Sequence, residues 1–162
     1  MGNILFQMTW REEIILKYDS EDLHFLGEID IDENVHQLRA GYGLAEYSDK
    51  LLLATDGTSE IFFLKCRENL KYRNRINVRE DGELLDRLGD IVFVEGAIYA
   101  NKINSYFIYK INPQNGEVEK KWDMKALVEN EIRMGTLDII DYGHGDILSG
   151  IAYDKIRGLF IL

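Results

Sequence analysis

The sequence predicts an all-β fold, a β-propeller of four-stranded blades, and three observations predict it. The chain repeats itself at an offset of 47 positions. Its aromatic residues, 11% of the total, are mostly Tyr and Phe set among Ile, Val and Leu, a mixture that favours strands over helices. Fourteen glycines against a single proline suit many tight turns, the punctuation of short strands.

The repeat fixes the elements in order. Ile4-Leu5-Phe6 falls in step with Leu51-Leu52-Leu53 and with Ile98-Tyr99-Ala100. A second apolar strand follows each triplet, as Ile14-Ile15-Leu16, Ile61-Phe62-Phe63 and Ile108-Tyr109-Lys110. An earlier strand opens the unit: Leu44 to Tyr47 precedes the turn Asp49-Lys50, as Ile91 to Val94 precedes Glu95-Gly96. Asn112-Pro113-Gln114-Asn115-Gly116 is a turn signal before a further strand, Glu117 to Trp122, and Asp19 to Asp22 does the same one unit earlier. Four short strands in about 40 to 50 residues is the period of a propeller blade.

A further unit begins late. Gly150-Ile151-Ala152-Tyr153 repeats Gly43 to Glu46 after 107 residues, where two repeats would give 94. The excess lies near 124–132, where Ala126, Leu127, Val128 and Ile132 fit a helical turn or two and predict one short inserted helix. The chain then reads as a single partial propeller domain over 1–162, about three and a half blades, with units at about 1–40, 41–88, 89–124 and 148–162. It starts inside one blade, with no outer strand before Ile4, and stops inside the second strand of another. Blades bury their faces against two neighbours, so open end blades invite self-association, unless the chain derives from a longer protein.

Composition narrows the function. The formal net charge is −10 and no run of Lys or Arg stands against it, so a nucleic-acid backbone would be repelled. Lys71, Arg73 and Arg75 alternate as on the solvated face of a strand. Cys66 is the only cysteine, which excludes a disulfide framework and reads as a structural thiol at a strand end. His24, His36 and His144 are scattered at no ligand spacing, so no metal site is expected. No apolar stretch approaches the roughly 20 residues that span a bilayer, and the N-terminus lacks the features of a signal peptide. No membrane partner is expected, and the compartment stays open.

Five segments in order then resemble the glutaminyl-peptide cyclotransferases of the plant and bacterial type. Phe6 to Trp10 looks like that family's Y-Q-L-T-W, and Gly41 to Leu44 like G-W-G-L. Thr55 to Ser59 matches S-D-G-[ST]-S. Val94 to Asn101 is close to Y-[IV]-D-G-x-I-Y-A-N, and Leu148 to Asp154 to L-N-G-I-A-Y-D. The resemblance implies a five-bladed propeller that binds a peptide with N-terminal glutamine. The α-amino group of that glutamine attacks its own side-chain amide, releasing ammonia and leaving pyroglutamate, with no cofactor. Such a site needs a pocket that folds the substrate, a proton-transfer group and donors to the developing oxyanion.

Carried over residue by residue, the resemblance implies substrate-binding roles for Trp10, for Tyr42 at the G-W-G tryptophan, and for Ser149 at the L-N-G asparagine. Asp90 stands at the first glutamate of N-E-L-E-Y and is the catalytic candidate, against the plainer reading of a surface aspartate at a strand edge. That motif's asparagine is Gly89 here, its second glutamate is Val92, and the tryptophan of A-N-V-W is Ile103. The F-T-Q-G-L segment with its functional glutamate would fall before Met1, and T-G-K-x-W-P with its channel lysine after Leu162. Each lost polar partner in a buried site costs about 1–3 kcal/mol, and several together slow a reaction by orders of magnitude. The expectation is therefore an impaired cyclotransferase. A non-catalytic peptide-binding propeller and a truncated vestigial copy are the alternatives.

Overall fold

The structure, a computed structural model, describes residues 4–10, 12–30, 38, 40–66, 70–135 and 148–162. Three antiparallel strands form the first sheet: β1 (Ile4–Met8), β2 (Ile14–Asp19) and β3 (Phe25–Asp30). The second has four in sequential order, β4 (Gly43–Ser48), β5 (Leu51–Thr55), β6 (Glu60–Lys65) and β7 (Lys71–Asn77). A small hairpin, β8 (Arg79–Glu80) and β9 (Glu83–Leu84), leads to a third sheet of four. Its strands are β10 (Leu88–Val94), β11 (Ala97–Lys102), β12 (Phe107–Ile111) and β13 (Val118–Asp123). Helix α1 (Lys125–Arg133) follows, and β14 (Ala152–Asp154) pairs with β15 (Leu159–Ile161) to open a fourth unit. This is a partial propeller of four-stranded antiparallel blades.

Both faces of the second sheet are covered, which explains why its strands read as continuous apolar runs. All five residues of β5 are buried. Leu51 and Leu53, with Ile61 and Phe63 of β6, join Leu88, Ile91, Ile98 and Tyr109 in a core shared with the third sheet. Their sequence neighbours Leu52, Ala54, Phe62 and Leu64 point the other way, into a core with Ile15 of the first sheet, Leu38 and Leu70. Period-two alternation thus divides one apolar run between two cores. Each fully buried Leu, Ile or Phe contributes about 1.5–3 kcal/mol. By contrast, β7 and β13 alternate exposed and half-buried residues as outer strands do. Lys71, Arg73 and Arg75 are exposed on β7, and Arg75 pairs with Glu60 at 3.2 Å.

The strand that opens each unit is the inner one. β10 packs against β4 and β5 on one side and β14 on the other. The strand missing before Ile4 is expected from the sequence to be an outer one, whereas β4 and β10, the first strands of their sheets, lie where the sheets meet. The Glu95-Gly96 hairpin carries φ of 48° and 85°, the two positive values that match a two-residue turn to strand twist. Asp19 Oδ1 accepts the Glu21 N–H at 2.8 Å, and Asn112 Oδ1 accepts that of Gln114 at 2.9 Å, closing the other turns. The helix forms where its apolar spacing predicts, yet none of its residues is buried, and Leu127 is 48% exposed.

Because Leu53 lies between two sheets with no exposed surface, Leu53→Ala is expected to cost about 2–5 kcal/mol in urea denaturation. Ile156→Ala, at a residue 97% exposed, is expected to stay within about 0.5 kcal/mol.

Candidate functional site

The inner strands begin along one rim, and the sequence-predicted residues gather there. Trp10 follows β1, and its carbonyl accepts the Gly41 N–H at 2.9 Å. Tyr42, next along, donates its N–H to the Thr55 carbonyl at 3.1 Å, while its ring lies over Gly57. Gly43 then enters β4 so close to β10 that a Cβ would stand 2.8 Å from Asp90 Cα and from the Ile91 nitrogen. Only a residue without a side chain fits there. Trp10 and Tyr42 are 51% and 43% exposed, so both rings face a medium a ligand can reach.

Thr55 ties the second sheet to the third. Its buried hydroxyl accepts the Gly43 N–H at 2.8 Å and donates to the Gly89 carbonyl at 2.5 Å. One side chain thereby bridges two inner strands. Asp90 repeats the device one blade on. Its Oδ1 accepts the Ile91 N–H at 2.9 Å, and its Oδ2 accepts the Ile151 N–H at 3.1 Å, at the start of β14. Asn101, 1% exposed, donates from Nδ2 to the Leu148 carbonyl. Burial pushes the Asp90 carboxyl above its usual range, and the two backbone N–H groups oppose that rise without cancelling it. Asp90 is thus a half-buried link between units, not the surface aspartate of the plainer reading.

Ser149 is exposed, and its neighbour Gly150 approaches the Asp90 carboxylate, a Cβ there lying 3.9 Å from Oδ2. The rim therefore brings Tyr42, Asp90 and the Ser149 segment together through backbone contacts, with Trp10 joined through Gly41. His24 is exposed, and His36 and His144 lie outside the described residues. Among the described residues, no group of three or more His, Cys, Asp or Glu side chains is placed to hold a metal ion. Burial also raises the pKa of the half-buried Cys66 thiol.

Three polar residues of this rim escaped the sequence reading as site residues: Thr55, Asp56 and Asn101. Each sits at the end of an apolar strand and is buried. Asp56 holds Thr58 through Oδ1, at 3.0 Å to the nitrogen and 2.6 Å to the hydroxyl, closing the turn at Gly57. Its Oδ2 and the Asn101 Oδ1 are buried without a hydrogen-bond partner. A polar residue closing a fully apolar run was the available signal. Gly89 also gains a reason, since a Cβ there would stand 2.5 Å from Asn101 Oδ1 and 3.3 Å from Ile103 Cγ1.

Comparison with known proteins agrees with this architecture. The chain matches the family model described as Glutamine cyclotransferase over residues 1–162. It is 26% identical over 155 residues to a glutaminyl-peptide cyclotransferase of Arabidopsis thaliana, across 96% of this chain and 44% of that protein. The crystal structure of Myxococcus xanthus glutaminyl cyclase is similar with a TM-score of 0.79 at 22% identity, over 98% of this chain and 62% of that one. The WD40 β-propeller domain of Doa1 is similar in fold, with a TM-score of 0.58 at 9% identity, over 99% and 43% of the two chains. The chain spans 44% of the curated relative and 62% of the Myxococcus protein.

Two outcomes are expected at this rim. Gly89→Ala forces the Asn101 amide aside although Nδ2 is held by Leu148, and a cost of about 1–3 kcal/mol is expected in urea denaturation. For Asp90, the folded pKa lies above the unfolded one. Its contribution to stability is complete below the ordinary carboxylate range and declines as pH rises through the raised value. Relative to the parent chain, Asp90→Asn should therefore become progressively more stable as pH rises from the ordinary carboxylate range through the raised value. A difference that stays flat with pH would show the carboxyl titrating normally.

Proposed function

The chain belongs to the glutamine cyclotransferase family, and we propose that the propeller it contributes to converts the N-terminal glutamine of peptides into pyroglutamate. The α-amino nitrogen attacks the carbon of the side-chain amide, and the new C–N bond closes the lactam ring. The bond from that carbon to the side-chain nitrogen then breaks. A proton from the attacking nitrogen ends on the departing one, so ammonia leaves and nothing is oxidised or reduced.

The observation that carries this reading to particular residues is the half-buried Asp90 carboxyl with its raised pKa, on the rim that also presents Trp10 and Tyr42. A carboxyl whose pKa is raised by burial is suited to protonating a leaving nitrogen. Trp10 and Tyr42 supply exposed ring faces against which a folded glutaminyl side chain packs. Ser149, exposed beside Gly150, supplies a hydroxyl at the mouth.

The same geometry supports a slow reaction. Gly89 and Val92 bring no polar group where the related motif has an asparagine and a glutamate, and Ile103 brings no ring. A second reading, a propeller that binds Gln-initiated peptides without turning them over, is favoured by one observation: both Asp90 oxygens already accept backbone N–H groups.

Incubating a Gln-initiated peptide with the purified, folded chain and following its mass separates the readings. Loss of one ammonia faster than the protein-free control supports the cyclotransferase. Asp90→Asn is then expected to lower the rate by about 10²–10⁴-fold. Saturable binding of the peptide without conversion establishes the binding module instead. Neither conversion nor binding leaves a vestigial copy.

A further inference from the structure

The opposite ends of the inner strands enclose a separate cleft of about 390 Å³. Glu46 and Tyr47 line it from the end of β4, Phe93 and Glu95 from the end of β10, and Tyr153 and Lys155 from β14 and the turn after it. Phe93 stands three residues beyond Asp90 on the same strand, roughly 10 Å along it at the usual rise. The cleft therefore opens at the far mouth of the inner strands and shares no residue with the rim of Trp10, Tyr42 and Asp90. Its volume falls within the range of small-molecule sites, about 300–1,000 Å³.

Its walls select a class of ligand. The Tyr47 and Phe93 rings meet at 4.5 Å between centroids, and Tyr47 is braced from behind by Phe63, edge to face at 5.3 Å. Tyr153 is held likewise against Phe160 at 5.0 Å. The aromatic surface is thus held in place by its own packing, and ring faces attract cations. Glu46 and Glu95 stand exposed beside it, neither neutralised by an ion pair among the described residues. Lys155 opposes them with one positive charge, leaving the cleft net negative within a chain of formal charge −10.

We propose that this cleft is a second binding site, for a small organic monocation of the guanidinium or ammonium class, seated on the Tyr47–Phe93 rings between Glu46 and Glu95. The site is independent of the cyclisation reading and stands whether or not the chain turns over a peptide.

N-acetylarginine amide, a monocation without a carboxylate, is the probe, followed by amide shifts in NMR spectra of the purified chain. Saturable shifts at Tyr47, Phe93 and Glu95 are expected, with a dissociation constant on the order of millimolar. Glu46→Gln and Glu95→Gln should each weaken binding by about three- to tenfold, and Lys155→Ala should strengthen it by about two- to fivefold. These positions are exposed, so the variants are expected to keep the parent fold, checked by their unfolding midpoint. The proposal is overturned if no shift saturates, if neutral N-acetylglutamine amide binds as well, or if the charge variants leave the affinity unchanged.

Discussion

The contact on which the rest depends is the backbone approach of β4 to β10 at Gly43. A Cβ at that position would meet Asp90 and Ile91 backbone at 2.8 Å, so the absence of a side chain sets how near two blades come. Thr55 then joins the two strands, accepting one strand's N–H and donating its proton to the other strand's carbonyl. With the inner strands held at that separation, Leu53, Ile61 and Phe63 reach Ile91, Ile98 and Tyr109 and close the shared core. A wider spacing would leave those side chains facing a void, and packed interiors lose stability in proportion to such gaps.

Seam and site are built from the same residues, which constrains both. Asp90 holds the start of β14 and is also the group we propose for proton transfer. Asn101 holds Leu148 and at the same time occupies the space beside Gly89. A side chain at 89 and the present position of Asn101 exclude each other. Buried acceptors without partners, Asp56 Oδ2 and Asn101 Oδ1, mark where this rim departs from full hydrogen-bond satisfaction.

The two ends of the inner strands differ in chemistry. At the start, glycines and short polar side chains bring backbones together and leave aromatic rings at the rim. At the far end, the rings of Tyr47, Phe93 and Tyr153 stand with Glu46 and Glu95 around a cleft edged by carboxylates.

Much of the fold was legible in the residues alone, because blade architecture is local and periodic. The offset of 47 between Ile4, Leu51 and Ile98 lands on β1, β5 and β11, and that between Ile14, Ile61 and Ile108 on β2, β6 and β12. Turn residues such as Glu95-Gly96 and Asn112 to Gly116 act within a few positions of themselves, so their roles are readable without a partner. The order of strands from the axis outward was not readable, since contacts between blades join residues far apart in sequence. The same separation hid the seam: Thr55 bonds to Gly89 and Asp90 to Ile151, across 34 and 61 positions. Sequence patterning by itself determined which segments become strands and which family they resemble. Only the tertiary structure decided that Asp90 is half-buried, that Gly89 has no room for a side chain, and that a charged cleft opens at the far mouth, because burial and proximity arise when separate blades pack.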